Sequence, residues 1–300
     1  MITVLGANGY IGSSFVDYLR YKGIPYTALK GRSECNLLDK KELTKKLKKI
    51  NPSFVINAAG YTGKPNVDAC ELDKEATHEG NVVLPMNVGE ACKSIGVPWG
   101  HISSGCIYNG YDKEYTEEDE PNFTHTSEIK GSYYSGTKAE AEKRITESFS
   151  DCFIWRLRIP FNSEMSKRNY LYKVLNYSTL LDVQNSVSHK DDFVRVCVSL
   201  WLSERQFGIY NVVNTGSVTS RQVVEMFKDK YGDSLNKHWK FMTDIDEFYK
   251  EIKPAAPRSN CVLSNQKLID SGVKIRTVHE AFYEAIGNWS EVIPGKVDYV

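Results

Sequence analysis

The run Gly6-Ala7-Asn8-Gly9-Tyr10-Ile11-Gly12 sits directly behind the apolar segment Ile2-Thr3-Val4-Leu5. A strand, a glycine turn and a helix in that order make the first unit of a doubly wound sheet that binds a dinucleotide. Gly6 permits the tight turn, Gly9 lets a pyrophosphate approach the backbone, and Gly12 lets the helix pack close to the strand. A helix beginning near Tyr10 and Ile11 offers free N–H groups and the positive end of its dipole to the phosphates.

The pattern behind that turn extends the same architecture. Short apolar segments predict strands over 2–5, 26–29, 54–57, 99–103 and 153–157, and helical spacing predicts helices over 14–21, 40–49, 83–94 and 134–147. This alternation implies an α/β fold, a Rossmann-type parallel sheet with helices on both faces and right-handed crossovers. Ligands then lie beyond the carboxyl ends of the strands, at the topological switch point. After residue 160 the alternation is irregular, with a helix expected over 169–177, a strand over 209–213, a helix over 220–230, and the loop Lys253-Pro254-Ala255-Ala256-Pro257 before Arg258. Residues 1–160 are expected to form the nucleotide-binding domain, with segments at about 180–215 returning to it. Residues 161–300 are expected to form mainly a small C-terminal substrate-binding α/β region.

Formal net charge is zero over 300 residues, so no global field draws nucleic acid or an anionic membrane. The basic run from Lys40 to Lys49 is interleaved with Leu43 and Leu47, the mark of a solvated helix face. Seven cysteines form no Cys-x-x-Cys pair, which argues against zinc or any other structural metal and for a reducing, cytoplasmic location. The chain opens on a strand without a leader-like segment, and no apolar stretch is long enough to span a bilayer. A homodimer is compatible with the sequence.

Cofactor choice is read at the end of the second strand, where an acid would favour NAD(H). Here Lys30 and Arg32 stand instead, which favours a 2′-phosphate and NADP(H), with NAD(H) the second choice. Asn36 and Leu37 are expected beside the adenine. The small residues of Asn57-Ala58-Ala59-Gly60-Tyr61 end the third strand, where a ribose lies against the backbone.

Tyr134 and Lys138 are four residues apart on a helical pattern, so they share a face. The ammonium is expected to lower the phenol's pKa and to hold the nicotinamide ribose, leaving Tyr134 to protonate a carbonyl oxygen. Ser103 and Ser104 are the candidates for a hydroxyl that shares that oxygen, with Ser104 favoured.

These residues together resemble the extended short-chain dehydrogenase/reductase family. Asn57–Thr62 and Ser103–Tyr108 resemble its dTDP-4-dehydrorhamnose reductase branch. The segments 60–68, Gly105-Cys106-Ile107, 117–123, Tyr134–Lys138 and Ala256-Pro257-Arg258-Ser259-Asn260 are similar to the bifunctional UDP-4-keto-6-deoxyglucose 3,5-epimerase/4-reductases. The simple reductases carry Asp-Tyr where this chain has Gly105-Cys106. The resemblance implies that Cys106 and Lys173 run an epimerisation. A thiol is mostly protonated at neutral pH, which suits Cys106 to the role of acid, and Lys173 can serve as base if burial beside Leu171, Val174 and Leu175, or proximity to Lys138, lowers its pKa. The resemblance further implies a nucleotide-sugar substrate, with Thr62, Gly63, Lys64, Asn66, Ser104, Cys106 and Arg258 in its pocket and Arg258 on the diphosphate. Asn81 is expected to hold the architecture from its helix. Two alternatives remain: a monofunctional dTDP-4-dehydrorhamnose reductase, and a non-catalytic nucleotide-binding regulatory subunit.

Overall fold

The computed structural model describes residues 1–64, 66–235 and 237–289. Pro65, inside the 60–68 segment, and residues 290–300, at the end of the expected substrate-binding region, lie outside the described residues.

The strands are β1 (Ile2–Leu5), β2 (Tyr26–Leu29), β3 (Phe54–Asn57), β4 (Trp99–Ser104), β5 (Gly110–Tyr115), β6 (Cys152–Leu157), β7 (Pro160–Phe161), β8 (Thr179–Leu181), β9 (Ser188–His189), β10 (Gly208–Asn211), β11 (Lys240–Met242) and β12 (Cys261–Leu263). The helices are α1 (Gly12–Tyr21), α2 (Lys40–Ile50), α3 (Ala69–Leu72), α4 (Lys74–His78), α5 (Leu84–Ile95), α6 (Tyr133–Ser148), α7 (Tyr170–Asn176), α8 (Lys190–Leu202), α9 (Ser220–Tyr231), α10 (Ile245–Ile252), α11 (Gln266–Asp270) and α12 (Val278–Gly287).

Six strands form one parallel sheet in the order β10-β6-β4-β3-β1-β2. The chain runs from β1 outward to β2 and then back past β1 to β3, so the switch point lies between β1 and β3. All four residues of β1 and of β3 are buried, as strands covered on both faces must be. One core packs α1 and α8 against the sheet through Phe15, Leu19, Phe193, Val196 and Trp155. The other face is closed by α2 and α5 through Leu43, Leu47, Val88 and Ala91.

A separate core joins Phe161, Leu171, Val174, Val223, Phe227 and Phe282, from β7, α7, α9 and α12, with Trp289 just beyond α12. Between the two, β12 pairs with β5 around Ile107, Tyr108, Tyr115 and Leu263. That pairing brings the segment after the Pro-rich loop beside the end of β4.

Several boundaries differ from expectation. Helix α1 begins at Gly12, and Tyr10 and Ile11 lie in the turn. β4 runs on to Ser104, and β10 occupies 208–211, two residues short of the expected end. The helix expected over 83–94 is preceded by a π-helical turn, Glu79–Val83, which carries Asn81. Helix α8 has no counterpart in the sequence reading. Its Phe193, Val194, Val196, Cys197, Val198 and Leu200 are all buried, so no one-sided apolar stripe marks it.

Candidate active site

The glycine turn is closed by its own backbone. Gly6 has φ +73°, and a Cβ there would lie 2.7 Å from the Ala59 nitrogen; a Cβ on Gly12 would lie 2.1 Å from the Gly6 carbonyl oxygen. Neither position accepts a side chain. The ends of β1 and β3 therefore meet at the switch point, with Ala58 and Ala59 against the turn. The Gly9 N–H is spent on the Gly6 carbonyl at 2.9 Å. The Tyr10 side chain serves packing: its ring lies 4.2 Å from Lys190 Nζ, and Ile11 packs on the core. What these two residues offer a phosphate is their main chain.

Lys30 and Arg32 are exposed beyond β2. The Lys30 N–H donates to the Glu34 carboxylate at 2.8 Å. Asn36 uses its side chain to accept from the Leu38 N–H at 3.2 Å, and the Asn87 carboxamide donates to the Leu37 carbonyl at 3.4 Å. The cradle, the small residues at 58–60 and the exposed cations fit a dinucleotide.

Strand alternation separates the two serines. Ser103 turns inward and donates to Glu142, which also receives Arg156. Ser104 turns the other way: its hydroxyl accepts from the Cys106 N–H at 3.2 Å and is near enough to the Tyr134 phenol to pull its pKa down. Ser132 caps α6 by accepting from the Ser135 N–H at 3.0 Å, which fixes the first turn that bears Tyr134. Lys138 Nζ lies 6.0 Å from the Tyr134 ring centroid and donates to the Ile102 carbonyl at 3.2 Å.

The expected effect of this pair on the phenol is corrected. Burial pushes the Tyr134 phenol up, the Cys106 sulfur adds to the rise, and only the Ser104 hydrogen bond opposes it. It is the ammonium that moves down: burial brings Lys138 to about 8, against the pull of Glu142. The phenol therefore stays protonated at neutral pH, the form a proton donor needs, although burial also makes it a weaker acid.

Asn81 ties the two halves of this centre together. Its carbonyl accepts from the Tyr61 N–H at 2.9 Å, and its amide donates to the Tyr61 carbonyl at 2.9 Å and to Thr137 Oγ1 at 3.2 Å. A Cβ on Gly60 would stand 3.3 Å from Asn81 Oδ1 and 3.7 Å from Lys138 Nζ. The loop after β3 thus runs directly over the lysine.

Cys106 lies in a short 3-10 turn after β4 and is partly exposed; the other six cysteines are buried. Lys173, on α7, is lowered first by burial, then by Arg258 and Arg168, while Cys106 opposes the fall. Burial lowers it as expected, and the cations that add to the fall are these arginines rather than Lys138. Cys106 therefore acts electrostatically on both Tyr134 and Lys173.

Arg258 binds Asp68 at 2.7 Å, and its main chain is held on both sides by the Tyr249 hydroxyl. Its Nη1 and Asp68 Oδ1 are buried without partners. Thr62, Lys64 and Asn66 are exposed, and Gly63 makes the turn with φ +70°. The Asn66 side chain supports that turn by accepting from the Asp68 N–H at 2.8 Å.

Three residues at this site lie outside the sequence reading. Glu142 is one helical turn beyond Lys138, a spacing that signals it. Arg168 stands five residues before Lys173. Arg158, immediately after β6, is fully buried and reaches Cys106 Sγ at 3.8 Å.

The parallel sheet, its glycine cradle and the Ser104–Tyr134–Lys138 centre define a nicotinamide-dependent enzyme of the extended short-chain dehydrogenase/reductase class. Within that class the chain belongs to the family described as the RmlD substrate binding domain, whose model matches residues 1–290. It is 32% identical over 293 residues to the bifunctional dTDP-4-dehydrorhamnose 3,5-epimerase/dTDP-4-dehydrorhamnose reductase of Arabidopsis thaliana, covering 94% of this chain and 91% of that protein. It is 31% identical over 287 residues to a trifunctional UDP-glucose 4,6-dehydratase/UDP-4-keto-6-deoxy-D-glucose 3,5-epimerase/UDP-4-keto-L-rhamnose-reductase of the same plant. That match covers 93% of this chain but only 40% of the longer protein. Among solved structures, the L780 UDP-rhamnose synthase from Acanthamoeba polyphaga mimivirus shares the fold, with TM-score 0.85, 22% identity and coverage of 96% and 98% of the two chains. Among the described residues, no helix is long and apolar enough to cross a membrane.

Proposed function

We propose that this chain is a bifunctional 3,5-epimerase/4-reductase that converts UDP-4-keto-6-deoxy-D-glucose to UDP-L-rhamnose with NADPH. The observation that carries the reading is the place of Cys106, the partly exposed cysteine, whose N–H donates to the Ser104 hydroxyl at 3.2 Å; the setting of Lys173 supports it. Burial, Arg258 and Arg168 lower its ammonium, and Cys106 acts on it and on Tyr134 alike. An amine that gives up its proton more readily than an ordinary lysine, and a thiol beside Ser104, would then serve the same centre.

The glycine cradle would hold the cofactor's pyrophosphate, with Lys30 and Arg32 at the 2′-phosphate and Ala58–Tyr61, Tyr134 and Lys138 at the nicotinamide ribose. When bound, the reduced nicotinamide supplies hydride to C4. The remaining chemistry belongs to the chain. Ser104 and Tyr134 grip the ketone oxygen O4, which acidifies the hydrogens on C3 and C5. Neutral Lys173 removes one such proton, and the electron pair passes to O4 as an enolate. Cys106 returns a proton from the opposite face, which inverts the carbon and restores the ketone. In the reductive step Tyr134 protonates O4. Arg258, whose Nη1 is unpartnered, would bind the diphosphate.

Product analysis by NMR tests this reading. With UDP-4-keto-6-deoxyglucose and NADPH, the protein alone is expected to yield UDP-rhamnose. A reduced product with C3 and C5 unchanged overturns the proposal and leaves a monofunctional reductase. Binding of NADPH with no turnover of any 4-keto nucleotide sugar leaves a regulatory subunit.

A further inference from the structure

Arg158 carries a buried positive charge that the reductase chemistry does not use. Its side chain is 1% exposed. Nη1 donates to the Gly105 carbonyl at 3.3 Å and to Ser259 Oγ at 2.9 Å, and it reaches Cys106 Sγ at 3.8 Å. Nη2 donates to the Ser259 carbonyl at 3.0 Å and to Asn185 Oδ1. Nε is buried without a partner. All of its acceptors among the described residues are neutral. Arg156, two residues earlier, is by contrast met by the Glu142 carboxylate through Nε and Nη2. A buried guanidinium with no counter-ion is costly to keep, so its retention calls for an anion that arises during the working cycle.

The backbone beside it is strained. Ile159 has φ +40°, a conformation that a β-branched residue rarely adopts, and Pro160 follows. The bend turns the chain out of β6 directly after Arg158 and into β7. Strain of this kind persists where surrounding contacts over-determine it, here Ser259, Asn185 and the Ser188 hydroxyl, which accepts from the Arg158 N–H at 3.1 Å.

We propose that Arg158 is a positioning residue for the epimerisation, the built-in counter-charge for the Cys106 thiolate. The inference rests on the reading of Cys106 as the epimerisation acid. In that step the S–H bond breaks and a C–H bond forms at C3 or C5, while the enolate collapses to the ketone. The S–H electron pair stays on sulfur, and Lys173 holds the proton it removed from the other face. The products are a thiolate, an ammonium and the inverted sugar, with charge conserved. Proton exchange with water resets both groups. Arg158 Nη1 faces the sulfur at the moment its charge appears.

Two readouts on the full-length protein test this. Iodoacetamide reports Cys106 without any turnover, because the other six cysteines are buried and the thiolate is the reacting species. At fixed neutral pH, Arg158→Met is expected to slow its alkylation by roughly tenfold, and Arg158→Lys, which keeps the charge, to restore much of the rate. With substrate, solvent deuterium entry at C3 and C5 falls by on the order of tenfold or more in Arg158→Met. Reduction of already epimerised UDP-4-keto-rhamnose stays within about threefold of wild type. If Arg158→Met does not fold, Arg158→Gln and Arg158→Lys carry the comparison.

Alkylation and exchange at wild-type rates in a folded, uncharged variant overturn the proposal. So does a parallel loss of exchange and reduction with alkylation unchanged, which marks a purely structural arginine. Absence of C3 and C5 exchange in the wild type instead sinks the epimerase reading, and the alkylation arm still decides whether Arg158 acts on the sulfur.

Discussion

Asp68 and Arg258, 190 residues apart in sequence, are joined at 2.7 Å between Oδ2 and Nη2. The pair links the loop after β3 to the segment before β12. It is made through one atom of each fork, and Nη1 and Oδ1 are buried without partners. Arg258 is thus held in place by Asp68 with one donor left unpaired.

Arg258→Ala is expected to raise KM for the nucleotide sugar by roughly tenfold or more, since a hydrogen bond to a charged group contributes about 1.5–3 kcal/mol. The KM for NADPH should not move. Asp68→Asn loosens the arginine without removing it and should give a smaller rise. Steady-state kinetics with each ligand varied in turn check both. A KM for NADPH that rises with the sugar KM would assign Arg258 to the cofactor.

Tyr134→Phe removes the proposed proton donor and leaves the Ser104 hydroxyl. Reduction should fall by about 10²–10⁴-fold, the usual worth of a positioned general acid. Deuterium entry at C3 and C5 should fall less, and NADPH affinity by fluorescence titration should change little. Undiminished reduction would remove Tyr134 from the role of donor.

The two lysines separate the chemistries by pH. In the proposed mechanism Lys138 is a cation; burial lowers its ammonium to about 8, so reduction should decline as pH rises through about 8. In that mechanism Lys173 is a neutral base, and its ammonium is lowered from the ordinary lysine value by burial, Arg258 and Arg168, so exchange should climb with pH. The ratio of exchange to reduction is therefore expected to grow with pH. Initial rates for both reactions across a pH series test this, and parallel profiles would contradict it.

Asn81→Ala strips the Tyr61 main chain of a donor and an acceptor and frees Thr137. A loss of about 1–3 kcal/mol of stability is expected for the buried groups left unpaired, read as a lower Tm. Reduction should fall with it, because the Gly60–Tyr61 loop lies against Lys138. Full activity in the folded variant would show that the loop holds its place without this clamp.

What could be read from the sequence was local or periodic. The turn from Gly6 to Gly12 needs only its neighbours, and Tyr134 and Lys138 share a face because helices repeat. Other features depend on contacts distant in sequence. Arg158 sits behind Cys106 because Ile159 bends and because Ser259 and Asn185 come from segments 101 and 27 residues away. The direction of the Tyr134 shift was misread because spacing reveals the nearby ammonium but not the burial that outweighs it. The π-helical turn at Glu79–Val83 lacks a sequence signature, although it aims Asn81 at Tyr61. Strand β5 was missed because its Tyr111, Asp112, Lys113 and Glu114 are exposed and only its partner β12 makes it a strand.

The central claim is that one grip on O4 serves both inversion and reduction, and Ser104→Ala tests it most directly. Deuterium entry at C3 and C5 is followed without NADPH, and reduction of UDP-4-keto-rhamnose is followed with it. The account predicts that both rates fall by a similar factor, on the order of 10² for the loss of one donor to the oxygen. A variant that loses one activity and keeps the other at the wild-type rate would contradict the shared grip.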